Sequence, residues 1–219
     1  MIVAVCGMER EARIAAGAGV TTVVGGSSGR LRERLESAVA GARGVISIGI
    51  AGALSPQLRP GDLVVAAAVL AREQRFASDG EWSARLVAQL PGAMLGPIAG
   101  TNMLIATAAE KARMFDATGA YATDMESHIA AEIAQSRDLP FAGLRIVADI
   151  ATSDLPACAS VALTPEGKVN LAAVLGSAVK SPRQIPQIVR MARESKAAFA
   201  ALFRYRALLG DRLLGPDRL

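Results

Sequence analysis

Apolar residues along the chain fall into short uninterrupted runs separated by stretches of helical spacing. Ile2–Cys6 and Val20–Val24 are the first two runs. Both are apolar and partly β-branched, both precede a glycine, and both read as strands. Glu9 to about Ala16 starts a helix between them. Leu31, Leu35, Val39 and Ala42 recur on one side of a helix placed at Leu31–Ala42. Gly44–Ile50 reads as a buried strand running into a small-residue turn, Gly49-Ile50-Ala51-Gly52-Ala53-Leu54. The turn signal Pro60-Gly61-Asp62 precedes a strand at Leu63–Leu70. Ala71–Gly92 is polar and mixed, a surface excursion with a short helix. Met94–Ile98 and Leu104–Ala106 are candidate strands around the loop Gly100-Thr101-Asn102. Ala108–Thr118 has helical spacing, Tyr121–Asp124 leads into a helix at Met125–Gln135, and Phe141–Asp149 is a late buried strand.

Strands alternating with helices predict an α/β fold, a central mixed β-sheet flanked by helices. With no internal repeat and no long linker, the expectation is one catalytic domain, residues 1–179, extended by a C-terminal helical tail, 180–219. Composition agrees: 52% of the residues are hydrophobic but only 4% aromatic, so small aliphatic side chains must build the core. Such runs suit strands covered on both faces. The two cysteines, Cys6 and Cys158, and the single histidine, His128, form no zinc or disulfide pattern, so no metal is expected and both thiols read as reduced and buried. The start has an apolar run before its charges, unlike a signal peptide, and no apolar run is long enough to span a bilayer. The expected location is the cytoplasm. Of the net charge of +4, the surplus lies at the end: from Lys180 onward there are nine Lys/Arg against three Asp/Glu. A basic groove for nucleic acid across the body of the fold is therefore not expected.

Carboxylates stand just after the apolar runs, where α/β sheets bind ligands. Glu11 follows the first strand, in Gly7-Met8-Glu9-Arg10-Glu11. Glu126 lies in Thr123-Asp124-Met125-Glu126-Ser127 and Asp149 ends Arg145-Ile146-Val147-Ala148-Asp149. Cleaving an N-riboside needs an acid on the leaving base and a nucleophile on the other face, through an oxocarbenium-like state. A buried Asp149 of raised pKa suits the acid, Glu126 the ribose hydroxyls, Met125 the sugar face and Glu11 the activation of a water. Singly, each has a blander reading. Glu11 alone is an ordinary first-turn acid, Asp124 a natural helix cap and Asp149 a strand end. Arg145 is harder to dismiss, because a charge inside an apolar strand requires a partner. The loop Gly25-Gly26-Ser27-Ser28-Gly29-Arg30 is either an anion site at a helix start or a flexible turn.

In order and spacing, these three motifs and the Gly49–Leu54 segment resemble the nucleoside phosphorylase/nucleosidase superfamily. The resemblance runs from Ile2 to about Asp149 and is strongest to the branch with methylthioadenosine/S-adenosylhomocysteine nucleosidase. It implies a phosphorylase/hydrolase-like fold, no cofactor, and N-glycosidic cleavage of a purine nucleoside by a homodimer or larger assembly. It implies Glu11 and Asp149 as catalytic, with Met8, Ile50, Gly52, Leu104, Met125, Glu126 and Arg145 around the substrate. Leu104 departs from the pattern, since the nucleosidases carry an aromatic residue there. Inorganic phosphate is a candidate co-substrate, with Ser27, Ser28, Arg30 and Thr101 as its candidate ligands.

A narrower resemblance, carried by Asp124–His128, Asp138-Leu139-Pro140-Phe141, Asp154-Leu155-Pro156, Leu163-Thr164-Pro165-Glu166-Gly167 and Ser181–Gln187, is to the hopanoid-associated phosphorylase-like proteins. It implies release of adenine from adenosylhopane. In the tail, Ile185, Ile188, Val189, Ala192, Phe199, Leu202, Phe203 and Leu209 recur at helical spacing among basic residues. Such a helix either meets an anionic membrane from the cytoplasmic side or packs on the core. A soluble methylthioadenosine-type nucleosidase and a non-catalytic nucleoside-binding protein are the alternative readings.

Overall fold

The computed structural model describes residues 1–161, 170, 176 and 181–216. The motif Leu163–Gly167, the expected 179/180 boundary, Lys180, Asp217 and Arg218 lie outside them. The element order is β1 (Ile2–Cys6), α1 (Glu9–Ala15), β2 (Val20–Val24), α2 (Ser28–Ala38), β3 (Gly44–Ala53), β4 (Leu63–Ala71), β5 (Gln74–Ala77), α3 (Gly80–Gln89), β6 (Met94–Gly100), α4 (Ala108–Thr118), β7 (Ala122–Asp124), α5 (Ser127–Ser136), β8 (Phe141–Asp149) and α6 (Ile185–Arg206), with short 3-10 turns at Ala157–Val161 and Pro182–Gln184.

The strands form one mixed sheet in the order β2-β1-β3-β7-β6-β4-β5, and β8 pairs with both β3 and β4. That double pairing closes a ring, β3-β7-β6-β4-β8, from which β1 and β2 extend as a parallel wing. All five residues of β1 are buried, as are the first eight of β8, which is why these strands read as continuous apolar runs. Strands β1, β2, β3 and β8 run parallel, so their C-terminal ends bring Gly7, Gly25, Ile50 and Asp149 to one edge.

Several expectations are corrected. Helix α2 ends at Ala38 rather than Ala42. The segment Gly49–Ala53 is no turn but the continuation of β3, paired to β8 on one side and β7 on the other. Its small residues serve close approach. A Cβ on Gly49 would lie 2.7 Å from Arg145 Nη1 and closer still to Glu11, and one on Gly52 would lie 3.1 Å from Asp149 Oδ2. Ala71–Gly92 contains β5 and a full helix, α3, that is not mere surface. Trp82, Leu86 and Leu90 are wholly buried, and the Trp82 indole donates to the Leu213 carbonyl at 2.9 Å. Leu104–Ala106 is not a strand. Both edges of β6 are already taken by β4 and β7, so three more apolar residues have no partner. Tyr121–Asp124 contains a short strand, β7, and α5 begins at Ser127, not Met125.

Helix α6 divides in two. Ala198, Phe199, Ala201 and Leu202 are buried in the core, joined by Leu209 and Leu213 beyond the helix. Its first half has no buried residue, and Ile185 and Val189 are exposed. Among the described residues, no helix is long and apolar enough to cross a membrane.

Candidate active site

Arg145 anchors one side of the site. It comes from the middle of β8, has no exposed surface, and its charge has to be met from neighbouring elements. Its Nε donates to Asp124 Oδ2 at 3.0 Å, and its Nη2 donates to Ser47 Oγ and, at 3.2 Å, to Ser127 Oγ. The same Nη2 lies 3.7 Å from Glu126 Oε2. Asp124 also binds the start of α5, its Oδ1 accepting from the amides of Glu126 (2.8 Å) and Ser127 (2.6 Å). The N-cap position expected for Asp124 falls to Glu126, because the helix starts at Ser127; Asp124 instead binds the first amides from two residues upstream and pairs with Arg145. With no exposed surface, Arg145 meets these carboxylates from inside the fold.

Glu11 and Glu126 converge beside this guanidinium. Helix α1 turns the Glu11 carboxylate inward, where it accepts from the amide of Met8 at 2.8 Å and that of Ile50 at 2.7 Å. Only 1% of Glu11 is exposed. Burial pushes its pKa up, with Arg145 and those amides pulling the other way. The Glu126 carboxylate lies against Gly7 and Gly25, the turns after β1 and β2. Burial pushes it up to about 8, opposed by Arg145 and reinforced by Asp124 and Glu11. A carboxyl that keeps its proton near neutral pH is a common mark of a functional site.

Asp149 occupies the other side, at the end of β8, with its side chain 14% exposed. Burial raises its pKa, and Lys111 opposes that rise. Lys111, from α4, escaped the sequence reading because a lysine on an amphipathic helix normally faces water. Here it is wholly buried, and its ammonium donates to Asp149 Oδ1, to the Ile150 carbonyl at 2.9 Å and to the Ser153 carbonyl at 3.1 Å.

Of the remaining candidates, Met8 and Ile50 reach Glu11 through their amides, Gly52 lies against Asp149, and Met125 precedes Glu126 in the chain. Met8, Ile50 and Gly52 are partly buried; Met125 and Leu104 are each 39% exposed. The loop bearing Leu104 is tied to the one after Asp149, since the Leu155 amide donates to the Ala106 carbonyl at 2.8 Å and the Ala108 amide to Asp154 Oδ1 at 2.8 Å. The four candidate phosphate ligands are not gathered in the same way. Ser28 and Thr101 line a cavity of about 650 Å³, shared with Asn102 and His128. Ser28 donates to Asn102 Oδ1 at 3.2 Å, and His128 Nε2 lies 3.0 Å from the same oxygen. Thr101 Oγ1 donates to the Met103 carbonyl at 2.8 Å. Ser27 is the cap residue of α2, and both it and Arg30 are exposed. Asn102 carried no prior signal; its place follows from the loop crossing over α2. Among the described residues, no three His, Cys, Asp or Glu side chains are placed to hold a metal ion.

Comparison with known proteins agrees with this architecture. The fold is similar to methylthioadenosine/S-adenosylhomocysteine nucleosidase of Helicobacter pylori, at TM-score 0.67 and 14% identity over 93% of this chain and 94% of that one. It is similar to the nucleosidase of S. pneumoniae, at TM-score 0.66 and 15% identity over 95% and 99%. Futalosine hydrolase of Helicobacter pylori matches at TM-score 0.64 and 14% identity over 94% and 96%. Identities this low show the shared fold. Among curated proteins, none matches the sequence. Residues 2–181 match the Phosphorylase superfamily, and by that match over most of its length the chain belongs to this superfamily of nucleoside N-glycosyl bond-cleaving enzymes.

Proposed function

We propose that the chain releases adenine from a nucleoside whose 5′ position carries an apolar group, with adenosylhopane as its substrate. The observation carrying the reaction is the placement of three carboxyl groups of raised pKa, one buried and two partly buried, at one edge of the sheet. Glu11 and Glu126 share Arg145, and Asp149 stands apart across Gly52. Protonated Asp149 gives its proton to a ring nitrogen of the purine. The C1′–N bond breaks and its electron pair leaves with the base. Ionised Glu126 accepts hydrogen bonds from the ribose hydroxyls and offsets the charge growing at C1′. Water adds to C1′ and passes its proton to Glu11. Water fits better than phosphate here. Of the candidate phosphate ligands, the hydroxyls of Ser28 and Thr101 are already engaged, and Ser27 and Arg30 are exposed.

Support for an apolar substituent comes from the exposed apolar residues Met103, Leu104 and Met125, the last next to Glu126 in the chain, and from Ile185 and Val189 on α6. Helix α6 is tied to the site's edge, where Arg190 Nη2 donates to the Asp154 carbonyl at 3.1 Å. The second reading, a soluble methylthioadenosine-type nucleosidase, is favoured by the likeness to such enzymes. Incubation with adenosylhopane and with 5′-methylthioadenosine, each with and without phosphate, followed by mass analysis, separates the two. Ribosylhopane formed without phosphate supports the proposal. Turnover of methylthioadenosine alone replaces it with the second reading, and a phosphoribosyl product replaces water with phosphate.

A further inference from the structure

The Lys111 ammonium has three protons and meets three acceptors, none of them solvent. Two are backbone carbonyls of the loop that follows β8, Ile150 and Ser153, and the third is Asp149 Oδ1. A wholly buried lysine is costly unless it is paired and hydrogen-bonded, and burial usually favours its neutral form. Helix α4 is well anchored to present it: Thr107 caps the helix, its hydroxyl accepting from the Glu110 amide at 3.2 Å while Glu110 accepts from the Thr107 amide at 2.9 Å. Gly119 ends the helix in the left-handed conformation at φ 64°. Such a rigid delivery of one cation to one carboxyl oxygen exceeds what closing a loop requires.

We propose that Lys111 is the positioning residue of the leaving-group acid: by holding Asp149 Oδ1 and both carbonyls of the following loop, it leaves Oδ2 turned to the base. This rests on Asp149 acting as that acid. Lys111 also sets how tightly Asp149 keeps its proton. Burial raises the proton affinity, and the ammonium restrains it. Charged groups facing this pair also come from α6, where Arg190 acts with Lys111 on Asp149, and Asp149 in turn acts on Glu194. Arg190 and Glu194 lie 3.8 Å apart. Lys111, in direct contact with Asp149, is the larger of the two cationic influences.

The test uses the full chain and the substitution Lys111→Met, with Lys111→Gln in its place should the first not fold. Two probes are compared: 5′-methylthioadenosine, whose leaving base needs a proton, and 4-nitrophenyl β-D-riboside, whose leaving group does not. Misplacing a reacting group costs about 10²-fold. The expected result is a loss of that order in kcat for methylthioadenosine, with KM little changed and the nitrophenyl riboside nearly unaffected. In parallel, the carboxyl titration of Asp149, followed by carbon NMR against Asp149→Asn, should move to higher pH without Lys111. An equal loss on both probes overturns the proposal and makes Lys111 a folding residue. So does a titration that stays in place, whatever the activity. If Asp149→Asn itself retains full activity on methylthioadenosine, the acid assignment fails, and the NMR titration still reports on the pair.

Discussion

At the β1–β3 end of the site, three carboxylates share one guanidinium; at the end of β8, one carboxylate has an ammonium to itself. The difference has chemical consequences. Arginine does not give up its proton at any accessible pH, so Arg145 is a fixed charge, and its favour is divided among Asp124, Glu126 and Glu11. Asp124 takes the direct ion pair, and Glu126, 3.7 Å from the guanidinium, is pushed by burial up to about 8. Lysine is a compact point charge. Against Asp149 it makes a local ion pair. One end surrounds a permanent cation, the other a single carboxylate–ammonium contact.

The largest expected effect comes from removing the shared cation. Arg145→Met leaves Asp124 and its neighbouring carboxyls buried without a counter-charge. Breaking a buried pair from one side costs about 3–5 kcal/mol. Denaturant unfolding should show that loss at neutral pH and a smaller one at acid pH, where the carboxyls are protonated. Should the variant be as stable as the parent at pH 7, the guanidinium is not what holds this end together.

These two ends were unequally legible in the amino-acid sequence. Strands β1 and β4 are runs of aliphatic residues, mostly buried, and such runs report themselves. Glu11, Glu126 and Asp149 follow apolar runs at spacings that a family resemblance picks out. Arg145 stood out because a cation within a strand has to be explained. Lys111 did not, because its helix is polar on most sides, and only the packing of α4 against the loop after β8 reveals that it faces inward. Trp82 was hidden in the same way among polar neighbours. The small residues Gly49–Ala53 misled in the opposite direction: they read as a turn, whereas glycine is needed there to let Glu11, Arg145 and Asp149 approach the strand. The apolar stripe of α6 is one pattern in sequence but two environments in the fold, because only its second half meets the core. Deleting the tail after Lys180 would thus remove core residues, and exposed positions such as Ile185 and Val189 are the ones to substitute when membrane recruitment is measured.

A second, intermediate effect sharpens the assignment of Glu126. On the proposed role of ionised Glu126 as acceptor from the ribose hydroxyls, kcat/KM should rise with pH through about 8. Glu126→Gln should remove that rise and cost about 10–100-fold above it, as expected for hydrogen bonds to a charged group. Folding should show the mirror image. The folded state binds the Glu126 proton more tightly than the unfolded chain does, so this group's stabilising contribution is complete below the ordinary carboxylate range. It is lost as pH rises through about 8. The glutamine variant should therefore lose less stability than the parent between pH 6 and 9. A parent whose kcat/KM is flat over that range would remove Glu126 from the ribose.

The smallest effect calibrates the comparison against an ion pair that has not been buried. Arg32 Nη2 meets Glu132 Oε2 at 2.6 Å, closer than Arg145 comes to either of its acids, yet the two side chains are 40% and 46% exposed. Distance alone would rank this pair first. Solvent reverses the ranking, because water screens the attraction and two long side chains lose freedom in meeting. Exposed pairs are worth about 0.2–1 kcal/mol. Arg32→Gln should therefore cost well under the loss from Arg145→Met, and raising salt should erase most of the difference from the parent. Salt should leave the Arg145→Met deficit nearly untouched, since ions do not reach a side chain with no exposed surface. If both variants respond to salt alike, water reaches the guanidinium of Arg145, and the fixed-charge account of the β1–β3 end gives way to a hydrated one.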